Sequence, residues 1–289
     1  MSERRHGGAG RGRLYVVATP IGNLGDITLR AVETLRTVDW VFAEDTRDAR
    51  RLCAHHGVKP KLAALHEHNE RDASRRVLRL LGEGRNVALV TDAGTPAISD
   101  PGAFAVAAAR AAGVEVVAIP GPSAAIAALS VAGLPGPFAF VGFLPPKPGA
   151  RRKALAGWRE FPHTIVLYEA PHRVLEAIDD LAAALGANRT VVVARELTKV
   201  FETVHVCLLA EARAWLEADP NRRRGELVLI VSGADAAVAM PDIEGERVLA
   251  LLLEELPVKA AVRLAAEITG ASRNTLYEKA LTLKDQKPR

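Results

Sequence analysis

VTDAGTPAISDPG, residues 90–102, is the stretch on which the reading of this chain turns. A short apolar run, residues 86–90, precedes it and reads as a buried strand bounded by turn residues. Gly94, Thr95, Pro96, Ser99, Pro101 and Gly102 follow, and then an Ala-rich helical run. A strand that breaks into a Gly/Pro turn and then a helix puts loop backbone at the carboxyl edge of a sheet. Open α/β sheets bind small ligands there. Asp92 sits on that edge, where a carboxylate can meet a ligand. An ordinary strand–helix connection uses the same residue types, so the surrounding sequence has to decide.

Outward from this loop the pattern repeats. Residues 14–19, 40–43, 86–91 and 114–119 read as strands, and 27–38, 47–56, 69–81, 103–112 and 123–131 as helices. That alternation predicts a βαβ series with a largely parallel sheet over residues 14–135. LPGPF and LPPKPG, within residues 134–149, punctuate the chain and open a second lobe, residues 136–236. Strands are expected there at 164–168, 190–194, 202–208 and 226–231, with a helix over 171–185 that carries Pro171 in its first turn. The close strand spacing predicts antiparallel pairing. Residues 243–286 read as a helix followed by a helix–turn–helix, with a turn at Gly270-Ala271 and Ser272 as N-cap of the last helix.

The chain has 289 residues, 38 Lys and Arg against 34 Asp and Glu, and a formal net charge of +4. This is a soluble, globular composition that suits a phosphate-bearing partner without requiring one. Cys53 and Cys207 lie far apart with no metal-type spacing, which points to a reducing cytosol. Residues 1–13 are rich in Gly and Arg, lack the apolar core of a secretory signal, and are expected to be disordered. No apolar run is long enough to span a bilayer, so no membrane partner is expected.

Several segments carry chemistry. ATPIGNLGDIT, residues 18–28, offers a glycine loop after the first strand, and Glu44 and Asp45 end the second strand. The order imitates a dinucleotide-binding unit, but G-x-G-x-x-G is absent and Pro20 occupies the turn. IPGPSAA, residues 119–125, lacks the G-x-S-x-G elbow of a serine hydrolase, and Ser123 reads either as a helix cap or as a ligand contact. LHEHNERD, residues 65–72, gathers His66, Glu67, His68 and Asn69 without a third ligand at metal spacing, so no metal is expected, and the segment reads either as a polar cleft wall or as a solvated loop. YEAPHRV (168–174) and RELTKVFE (195–202) set Arg and Lys beside acids at strand ends. They read either as surface ion pairs of little weight or as a basic rim for a phosphate-bearing substrate.

In order along the chain, ATPIGNLGDIT, AEDTR, HEHNE, VTDAGTPAISDPG, IPGPSA, GFLPPK, LYEAPHR, RELTK and GELVLIV resemble the tetrapyrrole methylase family. Within it they resemble the bacterial 16S ribosomal RNA (cytidine-2′-O)-methyltransferases. The resemblance implies two α/β lobes with S-adenosyl-L-methionine in the cleft between them, and a small C-terminal helical segment. It implies cofactor contacts at Pro20, at Ala93, Gly94, Thr95 and Ile98, at Ser123 and Ala124, and at Glu169 and Leu197. It also implies a homodimer, a cytidine of the decoding region in 16S rRNA of the small ribosomal subunit as target, and a cytoplasmic enzyme.

Methyl transfer to a ribose hydroxyl needs alignment, exclusion of water and a group to take the hydroxyl proton. Asp92 and Asp45, at the carboxyl ends of first-lobe strands, are the candidate catalytic residues. Arg47, His66, Asn69, Lys147, Arg173 and Lys199 are the candidates to grip RNA. A tetrapyrrole C-methyltransferase would also suit a basic cleft, although HEHNE, GFLPPK and YEAPHR match the rRNA branch. A non-enzymatic nucleic-acid-binding protein built around the C-terminal helices is the third reading.

Overall fold

The structure is a computed structural model that describes residues 10–234, 243–269 and 273–285. Five short strands form the first sheet: β1 (Leu14–Val17), β2 (Trp40–Ala43), β3 (Leu62–Ala64), β4 (Val87–Val90) and β5 (Val116–Ile119). All pair in parallel, in the order β3-β2-β4-β1-β5. Side-chain alternation along the strands feeds two cores. Leu14, Phe42, Val87 and Leu89 face α3 (Glu70–Gly82) and α4 (Ala103–Ala111). Val17, Val41, Ala88 and Val90 face α1 (Leu29–Thr37) and α2 (Thr46–His55). A parallel sheet covered on both faces needs apolar residues at successive positions, and β4 reads VALV, buried throughout.

Strand β3 escapes the sequence reading because its three residues, Leu-Ala-Ala, are too few to show a period. Helix α1 starts at Leu29, with the Thr28 hydroxyl accepting from Ala31 N at 3.1 Å. Of the N-terminal segment expected to be disordered, residues 1–9 lie outside the described residues. Gly12 and Arg13 depart from that expectation. Gly12 N donates to Leu81 O at 2.8 Å and Arg13 N to Asn86 Oδ1 at 2.9 Å, which ties both to the end of α3 and the loop before β4.

The second sheet holds β6 (Phe138–Phe143), β7 (Thr164–Glu169), β8 (Thr190–Arg195), β9 (Thr203–Leu208) and β10 (Leu227–Val231), in the order β6-β7-β10-β8-β9. β6 runs parallel to β7, and the remaining pairs are antiparallel. Helix α5 (Ala124–Ala132) belongs by sequence to the first βαβ series. It packs instead on this second sheet, its small Ala125, Ala128 and Ala132 lying against Val166, Val192, Val228 and Ile230. It ends at Gly133, whose φ of +67° is the left-handed stop common at helix ends.

The Pro/Gly zone hides two further elements, β6 and α6 (Pro148–Leu155). Helix α6 is tied to α7 (Val174–Leu185) by Arg151, whose side chain is 1 % exposed. Arg151 Nε donates to Asp180 Oδ2 at 2.6 Å, and an Nη lies 3.2 Å from Glu176 Oε2. Helix α7 begins at Val174, not at Pro171, because residues 171–173 form a turn that closes back through Arg173 N onto Ala170 O at 3.0 Å. Helix α8 (Leu209–Glu217) follows β9 directly and buries Leu209, Ala212 and Leu216.

Of the described residues, 157–162, 233–234, 243–269 and 273–285 belong to a second compact unit. Among its described residues, α9 (Ile243–Glu255), α10 (Val258–Thr269) and α11 (Arg273–Asp285) enclose Leu249, Ala261, Val262, Ala265, Leu276 and Ala280. The Gly270-Ala271 turn and the Ser272 cap lie outside the described residues. Among the described residues no helix is long and apolar enough to cross a membrane.

Candidate active site

The strand order decides which loops meet. β1 lies between β4 and β5, and β2 lies beside β4. The loops after these four strands therefore leave the carboxyl edge side by side, although residues 18 and 123 are far apart in sequence. Thr19 and Gly94 lock two of them together, with Thr19 N donating to Gly94 O at 2.8 Å and Gly94 N to Thr19 O at 3.1 Å. The Thr19 hydroxyl donates to Thr91 O at 3.0 Å. The loop of residues 91–102 holds backbone strain: Ala97 and Ser99 both have φ of +66°. Among the described residues the other non-glycine residues of this kind are Glu196 and Thr198, in the RELTK loop. Such conformations cost about 1–3 kcal/mol each and cluster at functional sites.

A cavity of about 350 Å³ opens where these loops face the second sheet. Gly94, Thr95, Ile98, Ser99 and Asp100 line it from one side, Ser123 and Ala124 from the start of α5, and Phe143, Tyr168, Glu169 and Val228 from the second sheet. A second cavity of about 280 Å³ adjoins it, sharing Ile21, Ala93 and Glu226, and carries Pro20, Asp92 and Lys199 on its wall. Gly94 sits at φ +83°, so a side chain there would be strained, and its Cβ would lie 3.7 Å from Ile21 Cγ2. Gly142, at φ +72°, lets the 91–102 loop meet β6; a Cβ there would stand 2.9 Å from Ser99 Oγ.

The carboxylates are concentrated: Asp45 and Glu169 each pair with an arginine, whereas Asp92 and Asp100 have no ion pair among the described residues. Burial pushes the Asp100 carboxyl up to about 6, and the nearby Glu44 charge adds to the shift. Burial also raises Asp92, against the stabilising Asp45 N–H, which donates to its Oδ1 at 2.9 Å; Glu44, Asp48 and Asp45 raise it further. Asp45 is held down to about 2, first by the Arg47 side chain and then by the Arg47 backbone N–H. It caps α2 through that N–H at 2.7 Å. Glu169 is raised by burial, opposed by the Ala170 N–H at 2.7 Å and by Arg173. Tyr168 is raised by burial as well, and its hydroxyl accepts from Ala125 N at 3.3 Å. Phe140 and Phe143 pack edge-on against its ring.

Of the residues expected at the cofactor, Ala93, Gly94, Thr95, Ile98, Ser123, Ala124 and Glu169 share the larger cavity. Pro20 lines its neighbour. Leu197 lies on neither wall. It is packed in the core beside Ala125, Ala128 and Val228, because left-handed Glu196 and Thr198 on either side reverse the loop around it. Ser123 flanks α5 but makes no capping hydrogen bond.

The residues expected to grip RNA divide. Arg47, its side chain 86 % exposed, pairs with Asp45, and Lys147 is exposed ahead of α6. Lys199 reaches the smaller cavity while its Nζ holds Glu196 at 2.9 Å and Glu226 at 3.0 Å. Asn69 closes the turn before α3, accepting from His66 N at 2.8 Å and donating to Ala64 O at 3.2 Å. The ring of His66 lies edge-on to that of His68, centroids 6.1 Å apart. Arg173 is committed inward: an Nη donates to Leu144 O at 2.6 Å, and Nε lies 3.2 Å from Glu169 Oε1. The sequence reading missed Asp100, Tyr168 and Phe143, although all three stand inside the strings that carry the family resemblance.

The arrangement suits a cationic, partly apolar small molecule: the half-buried Asp100 carboxylate has no ion pair among the described residues, the walls are aliphatic and aromatic, and Gly94 holds backbone close. The family of Tetrapyrrole (Corrin/Porphyrin) Methylases matches residues 13–213, and the RsmI C-terminal HTH domain matches residues 239–284. Ribosomal RNA small subunit methyltransferase I of Escherichia coli O157:H7 is 50 % identical over 97 % of this chain and 99 % of its own length. The protein of the same name from Xylella fastidiosa (strain Temecula1 / ATCC 700964) is 54 % identical over 92 % of this chain and 98 % of its own length. Among solved structures, the methyltransferase CobJ aligns with a TM-score of 0.60 at 20 % identity, over 77 % of this chain and 95 % of its own. Uroporphyrin-III C-methyl transferase from Thermus thermophilus, complexed with S-adenyl homocysteine, aligns with a TM-score of 0.56 at 21 % identity, over 76 % and 97 %. At that identity the two solved structures speak for the fold, whereas the curated relatives match almost end to end. The chain belongs to the tetrapyrrole methylase family, among the relatives named ribosomal RNA small subunit methyltransferase I.

Proposed function

We propose that the protein is an S-adenosyl-L-methionine-dependent methyltransferase acting on the ribose 2′-oxygen of a cytidine in 16S rRNA of the small ribosomal subunit. The observation that carries the reading is the 350 Å³ cavity, with Asp100 facing it and no cation paired to that carboxylate among the described residues. The cofactor supplies an electrophilic methyl group on a positively charged sulfur, and a half-buried carboxylate with no ion pair, as at Asp100, can hold a cation. The curated relatives, at about half identity, are named for small-subunit RNA, which favours that substrate over a tetrapyrrole. Tetrapyrrole enzymes match at 20–22 % identity and support the fold only.

The chain's own residues have three tasks. Gly94, Thr95, Ser123 and Ala124 supply loop and helix-start backbone against the ligand, as the resemblance implies. Ile98, Phe143 and Tyr168 exclude water. Asp92, on the wall of the adjoining cavity, takes the proton from the ribose hydroxyl as general base; such a group contributes about two to four powers of ten. Asp45 is the weaker candidate, since Arg47 keeps its carboxylate a poor proton acceptor. Alignment of hydroxyl and methyl adds about 7–11 kcal/mol in well-oriented systems.

The enzyme acts where small subunits are, in the cytoplasm, and acts as a homodimer. The apolar face of edge strand β9 supports the dimer: Val204, Val206 and Leu208 point outward and Phe201 stands nearby, 72 % exposed. An uncovered apolar edge is otherwise an aggregation hazard. Helices α10 and α11 dock the enzyme on the subunit through phosphate contacts without reading sequence. Calorimetry with S-adenosyl-L-methionine, followed by methyl transfer to purified small subunits, tests the reading. Binding without transfer to subunits would leave the fold and remove the substrate.

A further inference from the structure

Two of the cations expected at a basic rim are already engaged within the fold. Arg173 is spent on Glu169 and Leu144 O, and Lys199 on two glutamates. A different set of cations surrounds a third cavity, of about 620 Å³, lined by Pro171, His172, Arg213, Arg223 and Arg224 against one acid, Glu176. Glu176 is already engaged by Arg151 at 3.2 Å. Arg213 is balanced by Asp179 and Glu217. Arg223 and Arg224 have no acidic partner among the described residues, and Arg223 Nε is buried with no hydrogen-bond partner.

The turn that carries these two arginines is built rather than loose. Asp219 Oδ1 accepts from Asn221 N at 2.8 Å, Pro220 opens a 3-10 turn, and Arg195 Nη1 donates to Arg224 O at 3.3 Å. Arg222 is drawn aside. Its Nη1 donates to Trp215 O at 2.8 Å while its guanidinium lies 4.6 Å from the Trp215 ring centroid. Trp215 in turn stacks on His205, centroids 4.0 Å apart and planes 4° from parallel. Of three consecutive arginines, one is fixed on an aromatic stack and two line the cavity, Arg224 with a 3.5 Å hydrogen bond from Nη1 to Asn221 Oδ1.

A buried guanidinium nitrogen without an acceptor costs free energy that an incoming anion would recover. The planar guanidinium matches phosphate oxygens in a two-point geometry. The cavity also has the right neighbour. Pro171 lines both this cavity and the 350 Å³ cavity, so an anion held here lies just beyond the Glu169–Pro171 wall of the methyl-transfer site.

We infer that the cavity formed by His172, Arg223 and Arg224 binds backbone phosphates of the RNA substrate, close to the nucleotide being methylated. The inference rests on the rRNA reading above. A nucleic acid offers a run of such anions, and the free inorganic ion offers the same chemistry singly, so the test separates the two.

The experiment uses the full chain with Arg223→Gln and Arg224→Gln together, and a charge-matched control, Arg30→Gln with Arg36→Gln on α1. Calorimetry with S-adenosyl-L-methionine reports folding, and equal affinity in all three proteins is expected. Binding of purified small subunits is then measured against potassium chloride concentration. Each phosphate that the protein no longer neutralises removes about 0.7–0.9 from the slope of log affinity against log salt. The cavity variant is expected to lose about 1.4–1.8 from that slope, with KM for the subunit raised about tenfold, and the control to keep the parent slope. Inorganic phosphate at millimolar concentration, with ionic strength held constant, is expected to compete weakly with the subunit for the parent and not for the cavity variant. Equal slopes in the parent and cavity variant, or an equal loss in the control, would overturn the assignment. So would strong, saturable phosphate binding that leaves subunit affinity untouched. Failure of the parent itself to bind or methylate small subunits would instead overturn the rRNA reading, and the parent arm makes the two failures distinct.

Discussion

Asp100 is the residue whose environment asks most for explanation. Its carboxyl is raised to about 6, so the folded protein holds a proton that the unfolded chain, near the ordinary 3.8, has already released. Between those values the ligand-free fold loses stability as pH rises. Asp100→Asn removes that loss and is expected to raise the melting temperature of the ligand-free protein at pH 7, by calorimetry, while weakening S-adenosyl-L-methionine binding at least tenfold. The parent's affinity is expected to fall as pH drops below about 6, because the carboxylate that holds the cation becomes neutral; the variant's affinity should be flat over the same range. Asp92→Asn is expected to do the reverse. Cofactor affinity stays near the parent's and single-turnover transfer falls by about two powers of ten or more. An unchanged rate would leave Asp92 only its hydrogen bond to Asp45 N. Gly94→Leu is expected to abolish cofactor binding, since it puts a side chain at φ +83° beside Ile21 and Pro122 O; normal affinity by calorimetry would contradict that placement. Asp92 and Gly94 were legible in sequence, because each ends a strand or opens a turn. Asp100 was not: its role depends on the left-handed Ala97 and Ser99, which fold it back toward Glu44, and no residue type announces that conformation.

At the scale of elements, the parallel half of the molecule could be read from pattern, because each buried strand is a short apolar run and each helix a longer periodic one. The second half resisted where Pro and Gly are dense. β6 carries Gly142 within it, and α6 begins at Pro148, so both look like punctuation. Pro171 looked like a first-turn proline, yet it sits in the turn between β7 and α7 and walls two cavities. The α6–α7 clamp could not be read at all, since a buried arginine and its acid lie 29 residues apart. Asp180→Ala strands Arg151 without its main partner and is expected to cost about 3–5 kcal/mol in denaturant unfolding, more than a typical surface ion pair. The three C-terminal helices, α9–α11, are expected to matter for the subunit and not for the cofactor. A chain ending at Ala234, which keeps the Ala234 N to Phe161 O hydrogen bond of 2.9 Å, should bind S-adenosyl-L-methionine normally and methylate assembled subunits poorly.

For the whole molecule, one sheet presents its loop edge to the other, and the cavity is made where neither half alone is complete. The first sheet brings the acids and the glycine loop; the second brings Tyr168, Glu169 and the aromatic wall. The apolar outer face of β9 belongs to the same scale. Val206→Glu, at a position 55 % exposed, is expected to convert a dimer to a monomer by light scattering without unfolding the chain. The central claim, transfer of one methyl group to a ribose of small-subunit RNA, is tested most directly with purified protein. S-adenosyl-L-methionine labelled in its methyl group is supplied with small subunits from cells lacking this gene, and the RNA is digested and mapped by mass. The account predicts a single label on the ribose 2′-oxygen of one cytidine in 16S rRNA. No label in RNA, or label on a base, would contradict it.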